Sequence, residues 1–206
     1  MITKVNELVI KGKAKLITGA VQEAVDAGFA PEEILNAMIS AMDVVGENFK
    51  NGNIFVPEML IAAKAMKKGV EVLKPHLASG AAGALGKVII GTVAGDLHDI
   101  GKNLVAMMIE SAGFEVVDLG VDVPAEKFLE AYDETVKIFA CSALLTTTMP
   151  ALEATVAALN GAPFRGKVKV MVGGAPITQE FADKIGADVY TPDAASAAKK
   201  AKELAA

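Results

Sequence analysis

The sequence predicts a two-part α/β protein: a four-helix bundle followed by a doubly wound, five-stranded parallel sheet. Three observations predict it. Residues 1 to 78 place their apolar side chains at helical spacing. From residue 87 to 206, short β-branched runs alternate with helical stretches five times. Between them "SGAAGALG", residues 79 to 86, is small and flexible in composition and reads as a linker.

Each element has its own signal. Thr3 is placed to cap a first short helix ending near Gly12. Residues 13 to 27 put Leu16, Ile17, Ala20, Val21 and Ala24 on one face, with Gly28 suited to the position just past the helix end. Pro31 fits a first helical turn, and Glu32 and Glu33 follow near the positive end of the dipole. That third helix carries Ile34, Leu35, Met38, Ile39, Met42 and Val45 and stops around "KNGN". Pro57 opens a fourth, which ends before Pro75. Four amphipathic helices with short turns make an antiparallel bundle. In the second half the strands are "KVIIGTV", "FEVVDLG", "VKIFACSA", "KVKVMVGG" and "ADVYT". Helical stretches at 100–112, 124–132, 150–160, 178–185 and 193–204 separate or follow them. Strands that read as continuous apolar runs are covered on both faces, as in Rossmann-like and flavodoxin-like sheets.

Composition narrows the function classes. An apolar fraction of 52% supports a buried core, and with aromatics at 5% that core is built mainly from Ala, Val, Leu, Ile and Met. A formal charge of −5 argues against binding nucleic acid or an anionic membrane, which reward clustered Lys and Arg. No apolar run is long enough to span a bilayer. "MITKVNELVIKG" has neither the apolar stretch nor the cleavage site of a signal peptide. One cysteine, Cys141, cannot form an internal disulfide. A cytoplasmic protein is expected.

Topology says where a ligand sits. In doubly wound sheets it lies beyond the carboxyl ends of the strands, near the reversal of strand order, here between strands one and three. Strand one runs into "AGDLHDIG", strand three into "CSALLTTTMP", strand four into "GGAPIT" and strand five into "YTPDAA". All the unusual polar residues fall on one rim.

Asp96, His98 and Asp99 admit four readings. One aspartate could cap the helix starting near Ile100 while His98 is a surface residue. A mononuclear metal site would need supporting Cys, His or Glu ligands, and the other histidine, His76, follows Pro75 near the linker and reads as a surface residue. A phosphate at the helix N-terminus would use Gly95 and Gly101 but meet two carboxylates. A phosphorylatable Asp at the end of strand three is replaced by Cys141 and Ser142, which excludes a receiver domain. The fourth reading is a single axial imidazole beneath a tetrapyrrole-type ring that supplies the other metal ligands. Asp96, two residues before His98, would then orient the second ring nitrogen.

"GDLHDIG" resembles the D-x-H-x-x-G signature of cobalamin-binding domains; "SALLTTTM" resembles their S-x-L segment and "VGG" their later glycine pair. "AMDVVGENFKNGNIFVPEMLIAAKAMKKGVEVLKP" is similar to the helical cap of methionine synthase and of corrinoid methyl-carrier proteins. The resemblance spans nearly the whole chain and matches the corrinoid proteins of methanol, methylamine and aryl-O-demethylation systems. It implies that His98 is the lower cobalt ligand in a base-off, His-on cobalamin, with Asp96 hydrogen-bonded to it. Thr148 stands where methionine synthase completes the relay with a serine. The motif segment Gly95, Asp96, His98, Asp99, Ile100 and Gly101 would meet the cofactor. Ser142, Leu144 and Thr146 would line the slot for the displaced nucleotide tail, Gly173 and Gly174 would let it pass close to the backbone, and Tyr190 and Thr191 would lie near its end. Phe49, Val56 and Met59 match cap positions that shield the methyl-bearing face.

The implied function is methyl relay: the cofactor accepts a methyl group through a substrate-specific methyltransferase and yields it through an acceptor-side methyltransferase, with a reductive activation protein as a third partner. The donor (methanol, a methylamine or a methoxylated aromatic) and the acceptor (tetrahydrofolate or coenzyme M) stay open. A cobalamin-dependent sensor would normally carry an output module, for which this acidic chain offers no segment. The small subunit of an adenosylcobalamin mutase would not need the cap. A generic flavodoxin-like binding domain leaves His98 and the glycine pair unused. Cys141 reads as a small buried hydrophobe.

Overall fold

Four helices, α1 (Ile2–Ile10), α2 (Ile17–Asp26), α3 (Pro31–Lys50) and α4 (Val56–Leu73), occupy the N-terminal part of the computed structural model, which describes residues 1–76 and 85–205. Their apolar faces are buried: Val5 and Val9, Ile17 and Val21, Ile34, Met38 and Val45, Met66 and Leu73. The starts of α3 and α4 carry proline in their first turns, as the sequence requires. In α4 the Glu58 carboxylate also accepts the Phe55 N–H at 3.0 Å.

Two starts differ from the sequence reading. Thr3 does not cap α1; the Val5 N–H donates to the Met1 carbonyl at 3.1 Å, which places Thr3 inside the first turn. The second helix begins at Ile17, not Lys13, because the chain turns through left-handed Gly12 and closes short-range bonds from Ala14 N–H to Gly12 O and Leu16 N–H to Lys13 O, both 2.9 Å.

The remaining elements are β1 (Lys87–Thr92), α5 (Ile100–Ser111), β2 (Glu115–Asp118), α6 (Ala125–Glu130), β3 (Val136–Ser142), α7 (Met149–Asn160), β4 (Lys169–Gly173), α8 (Gln179–Ile185), β5 (Val189–Tyr190) and α9 (Ala194–Ala205). The strands form one all-parallel sheet in the order β2-β1-β3-β4-β5. That is the predicted doubly wound, flavodoxin-like order, which reverses between β1 and β3. The register sets Thr92 beside Ser142 and Ser142 beside Gly173, so the carboxyl ends of three strands share one rim. Parallel strands are buried on both faces, and Val88 to Val93 are buried throughout. Gly91 interrupts the β-branched run of β1 because Phe128 of α6 lies against it: a Cβ there would sit 2.8 Å from the Phe128 ring.

The chain divides into two compact units, Met1–Ala84 with Ser111–Gly113 and Leu85–Glu110 with Phe114–Ala206. Of the linker expected at residues 79 to 86, positions 79 to 84 lie outside the described residues.

Candidate functional site

Beyond Thr92 the chain leaves β1 through a turn at left-handed Gly95 (φ 80°) and drops Asp96 into the interior, where it has no exposed surface. A buried carboxylate must find donors or lose its charge. Asp96 finds four. Its Oδ1 accepts the His98 N–H at 3.0 Å and the His98 ring Nδ1 at 2.9 Å; its Oδ2 accepts the Leu144 N–H and the Thr148 hydroxyl, both at 2.7 Å. Burial acts to raise its pKa, but the bonds from Leu144, Thr148 and His98 together outweigh it and hold the carboxyl well below the usual range. Asp96 is therefore an anion and an acceptor only.

That fixes the imidazole. Facing an ionised carboxylate, Nδ1 carries the proton, so in the neutral ring Nε2 keeps its lone pair. Among the described residues Nε2 has no partner, and the His98 side chain is 51% exposed. The Thr92 hydroxyl donates to the His98 carbonyl at 2.8 Å and draws the loop back over the end of β1. The Thr148 hydroxyl also lies 2.9 Å from the Leu145 carbonyl, so its single proton has two acceptors in reach.

Large apolar side chains are exposed on the same rim. Leu97 (72% exposed), Ile100 (80%), Val121, Leu144 and Leu145 are large hydrophobic side chains left to solvent, and all leave the carboxyl ends of β1, β2 or β3. Exposed apolar groups gathered on one rim mark a binding surface. Gly101 is exposed, and a Cβ added to it would meet no atom within 4 Å, so the first turn of α5 stands open.

The other expected residues take definite places. Asp99 is exposed and accepts the Asn103 side-chain amide at 3.1 Å. Ser142 ends β3 half-buried, and Thr146 is exposed in the 3-10 turn Thr146–Thr148 that leads into α7. Gly174 has φ 135°, and a Cβ there would fall 1.7 Å from the Ala143 carbonyl oxygen; only glycine fits between β4 and the loop after β3. Gly173 lies against Thr191, whose carbonyl would be 3.1 Å from an added Cβ. Tyr190 ends β5 partly exposed, and Thr191 is buried. Phe49 and Val56 lie partly exposed in the helical unit, where Met59 is buried. His76 is exposed and Cys141 buried, its thiol pushed up to about 12 by burial.

Three contacts escape a reading of the sequence. The Leu144 contact is made by backbone, so no side-chain type announces it. Lys102 is buried beside Asp118 and bonds the Asn103 side chain at 2.8 Å, tying the start of α5 to the end of β2. Asp122 holds the Gly95 N–H at 2.7 Å from the loop after β2. An aspartate in a loop carries no signal of such a role.

Among the described residues no group of three or more His, Cys, Asp or Glu side chains is arranged to hold a metal ion. One oriented imidazole nitrogen, backed by a carboxylate on a rim that also exposes large apolar side chains, suits a metal whose other ligands come from a macrocycle. The residues present fit a corrinoid.

Comparison with known proteins agrees. Residues 86–201 match the family described as B12 binding domain, and residues 1–74 match a second family of the same description. Over 206 residues the chain is 46% identical to dimethylamine corrinoid protein 3 of Methanosarcina acetivorans, covering 99% of this chain and 96% of that one. It is also 46% identical to trimethylamine corrinoid protein 2 of the same organism, covering 98% and 95%. Among solved structures, the methanol:cobalamin methyltransferase complex MtaBC from Methanosarcina barkeri matches with a TM-score of 0.84 at 32% identity, covering 99% of this chain and 79% of that one.

Proposed function

The chain belongs to the B12-binding corrinoid proteins, and on that premise we propose that it serves a methylated amine, with His98 as its cobalt ligand. As a member of that family it binds a corrinoid and carries a methyl group between methyltransferases. The donor class rests on the identity to dimethylamine and trimethylamine corrinoid proteins, which exceeds that to the methanol system. Its partners are an amine-specific methyltransferase, an acceptor-side methyltransferase and a reductive activation protein. The cytoplasm is the compartment proposed for it, a reducing milieu suiting its free cysteine. No helix of the described residues is long and apolar enough to cross a membrane.

When bound, the corrinoid supplies the cobalt that holds the methyl group; the protein tunes and shields it. His98 would hold the cobalt through Nε2. Asp96 fixes the tautomer and raises the basicity of that nitrogen. Thr148 and the Leu144 N–H keep Asp96 ionised. The exposed side chains of Leu97, Ile100, Leu144 and Leu145 form the apolar floor, with Gly95, Asp99 and Gly101 at its edge. Ser142, Thr146, Gly173, Gly174, Tyr190 and Thr191 are assigned to the nucleotide tail, and Phe49, Val56 and Met59 to shielding, on the family resemblance of their segments. Residues 79 to 86 are assigned as the linker between residues 1 to 78 and 87 to 206.

The observation that carries the reading is the Asp96–His98 pair with Nε2 left free on an apolar rim. The experiment is reconstitution with hydroxocobalamin, reduction, and incubation with methylamine- or methanol-specific methyltransferases and their substrates. The corrinoid absorption spectrum should report methylation with a methylamine system and none with the methanol system. Methylation by the methanol system alone would refute the donor assignment.

A further inference from the structure

Among the described residues Asp122 is the only one other than glycine with a positive φ, at 53°. Left-handed backbone is costlier for a residue with a Cβ than for glycine, though aspartate tolerates it better than most, and surrounding bonds can hold it there. Here they do. The loop after β2 runs beside the end of β1 and bonds it repeatedly: the Thr92 N–H donates to Gly120 O at 3.0 Å, the Val123 N–H to Thr92 O at 2.9 Å and the Asp122 N–H to Asp96 O at 2.9 Å. The fourth bond is made by a side chain, the Gly95 N–H donating to Asp122 Oδ1 at 2.7 Å. In its left-handed conformation one residue presents both its N–H and its carboxylate to the same turn.

We propose that Asp122 is a positioning residue for His98, acting through Gly95 and Asp96; this rests on the assignment of His98 as the cobalt ligand. Asp96 is gripped from two sides. Leu144 and Thr148 hold its carboxylate from the β3 side, and Asp122 holds its main chain from the β2 side. The imidazole hangs from that carboxylate, so its aim depends on both grips. Without the carboxylate's bond to the Gly95 N–H, the β2-side grip is reduced to the Asp122 N–H bond to Asp96 O, and the turn is freer to rotate and to carry the Nδ1 bond with it. The conformational cost at residue 122 is therefore offset where the ligand is aimed.

The test separates aim from folding. Asp122→Gly relieves the left-handed backbone but removes the carboxylate; Asp122→Asn tolerates that backbone and keeps an acceptor at Oδ1. Each variant, labelled with 15N only in histidine, is loaded with cob(II)alamin, and the fraction of His-coordinated cobalt, hence its ratio to uncoordinated cobalt, is read from the 15N doublet of its paramagnetic resonance signal, alongside thermal melting. The expected result is a ratio lower by about three- to tenfold in the glycine variant, the size of one net hydrogen bond, with a melting temperature equal to or above that of the parent. The asparagine variant should stay within about twofold of the parent. A glycine variant with the parent's ratio, or an asparagine variant that loses as much as glycine, would overturn the inference. If the labelled parent itself shows no 15N doublet, the ligand assignment fails first and the role of Asp122 with it.

Discussion

One buried carboxylate organises the site. Asp96 spends each oxygen on two donors, and its charge decides which nitrogen of His98 is free. The motif D-x-H made this pair legible in the sequence, because two residues of separation let the side chain reach back to the ring. Thr148 was legible only through a family resemblance, since it lies 52 residues away and nothing local ties it to Asp96. Its removal is informative: Thr148→Ala strips one donor from a buried anion and should destabilise the protein by about 1–3 kcal/mol, while Thr148→Ser should recover most of that in urea unfolding. Acid should also act on Asp96. A carboxyl whose folded pKa lies below its unfolded value adds stability above the unfolded pKa, near 3.9, and loses it as the pH falls towards the folded value. Urea unfolding of Asp96→Asn should therefore show a shallower loss of stability below about pH 5 than the parent.

At the scale of elements, periodicity identified all nine α-helices and five strands among the described residues, and erred on where some begin. The errors share a cause. Thr3 looks like a cap, but the helix runs back to Met1; Lys13 to Leu16 have helical residues but follow left-handed Gly12. Local hydrogen bonding at the ends, which sequence spacing does not encode, decides both. The glycine pair was legible as a place of close approach, though its first reason lies between the segments that leave β3 and β4: Gly174 clears the Ala143 carbonyl. Gly174→Ala should destabilise by about 3 kcal/mol or more, through both φ and contact, where Gly101→Ala should cost little fold stability. Phe128 packs over Gly91 with no exposed surface, and Phe128→Ala should cost about 3–5 kcal/mol in the same assay. Asp122 shows what sequence could not supply, because only the fold brings the loop after β2 alongside Gly95.

For the whole molecule, order of strands and placement of chemistry agree. The sheet reverses between β1 and β3, and the residues that converge on Asp96 come from the ends of those two strands. The alternation of strands and helices made this rim legible before any contact was known; which backbone groups meet there was not. The central claim is that His98 Nε2 is the lower ligand of cobalt. The most direct measurement is the paramagnetic resonance spectrum of the cob(II)alamin-loaded protein labelled with 15N only in histidine. The account predicts that the triplet nitrogen splitting of the unlabelled protein becomes a doublet and disappears in His98→Ala. A triplet that survives the label, from the cofactor's own base, would contradict it.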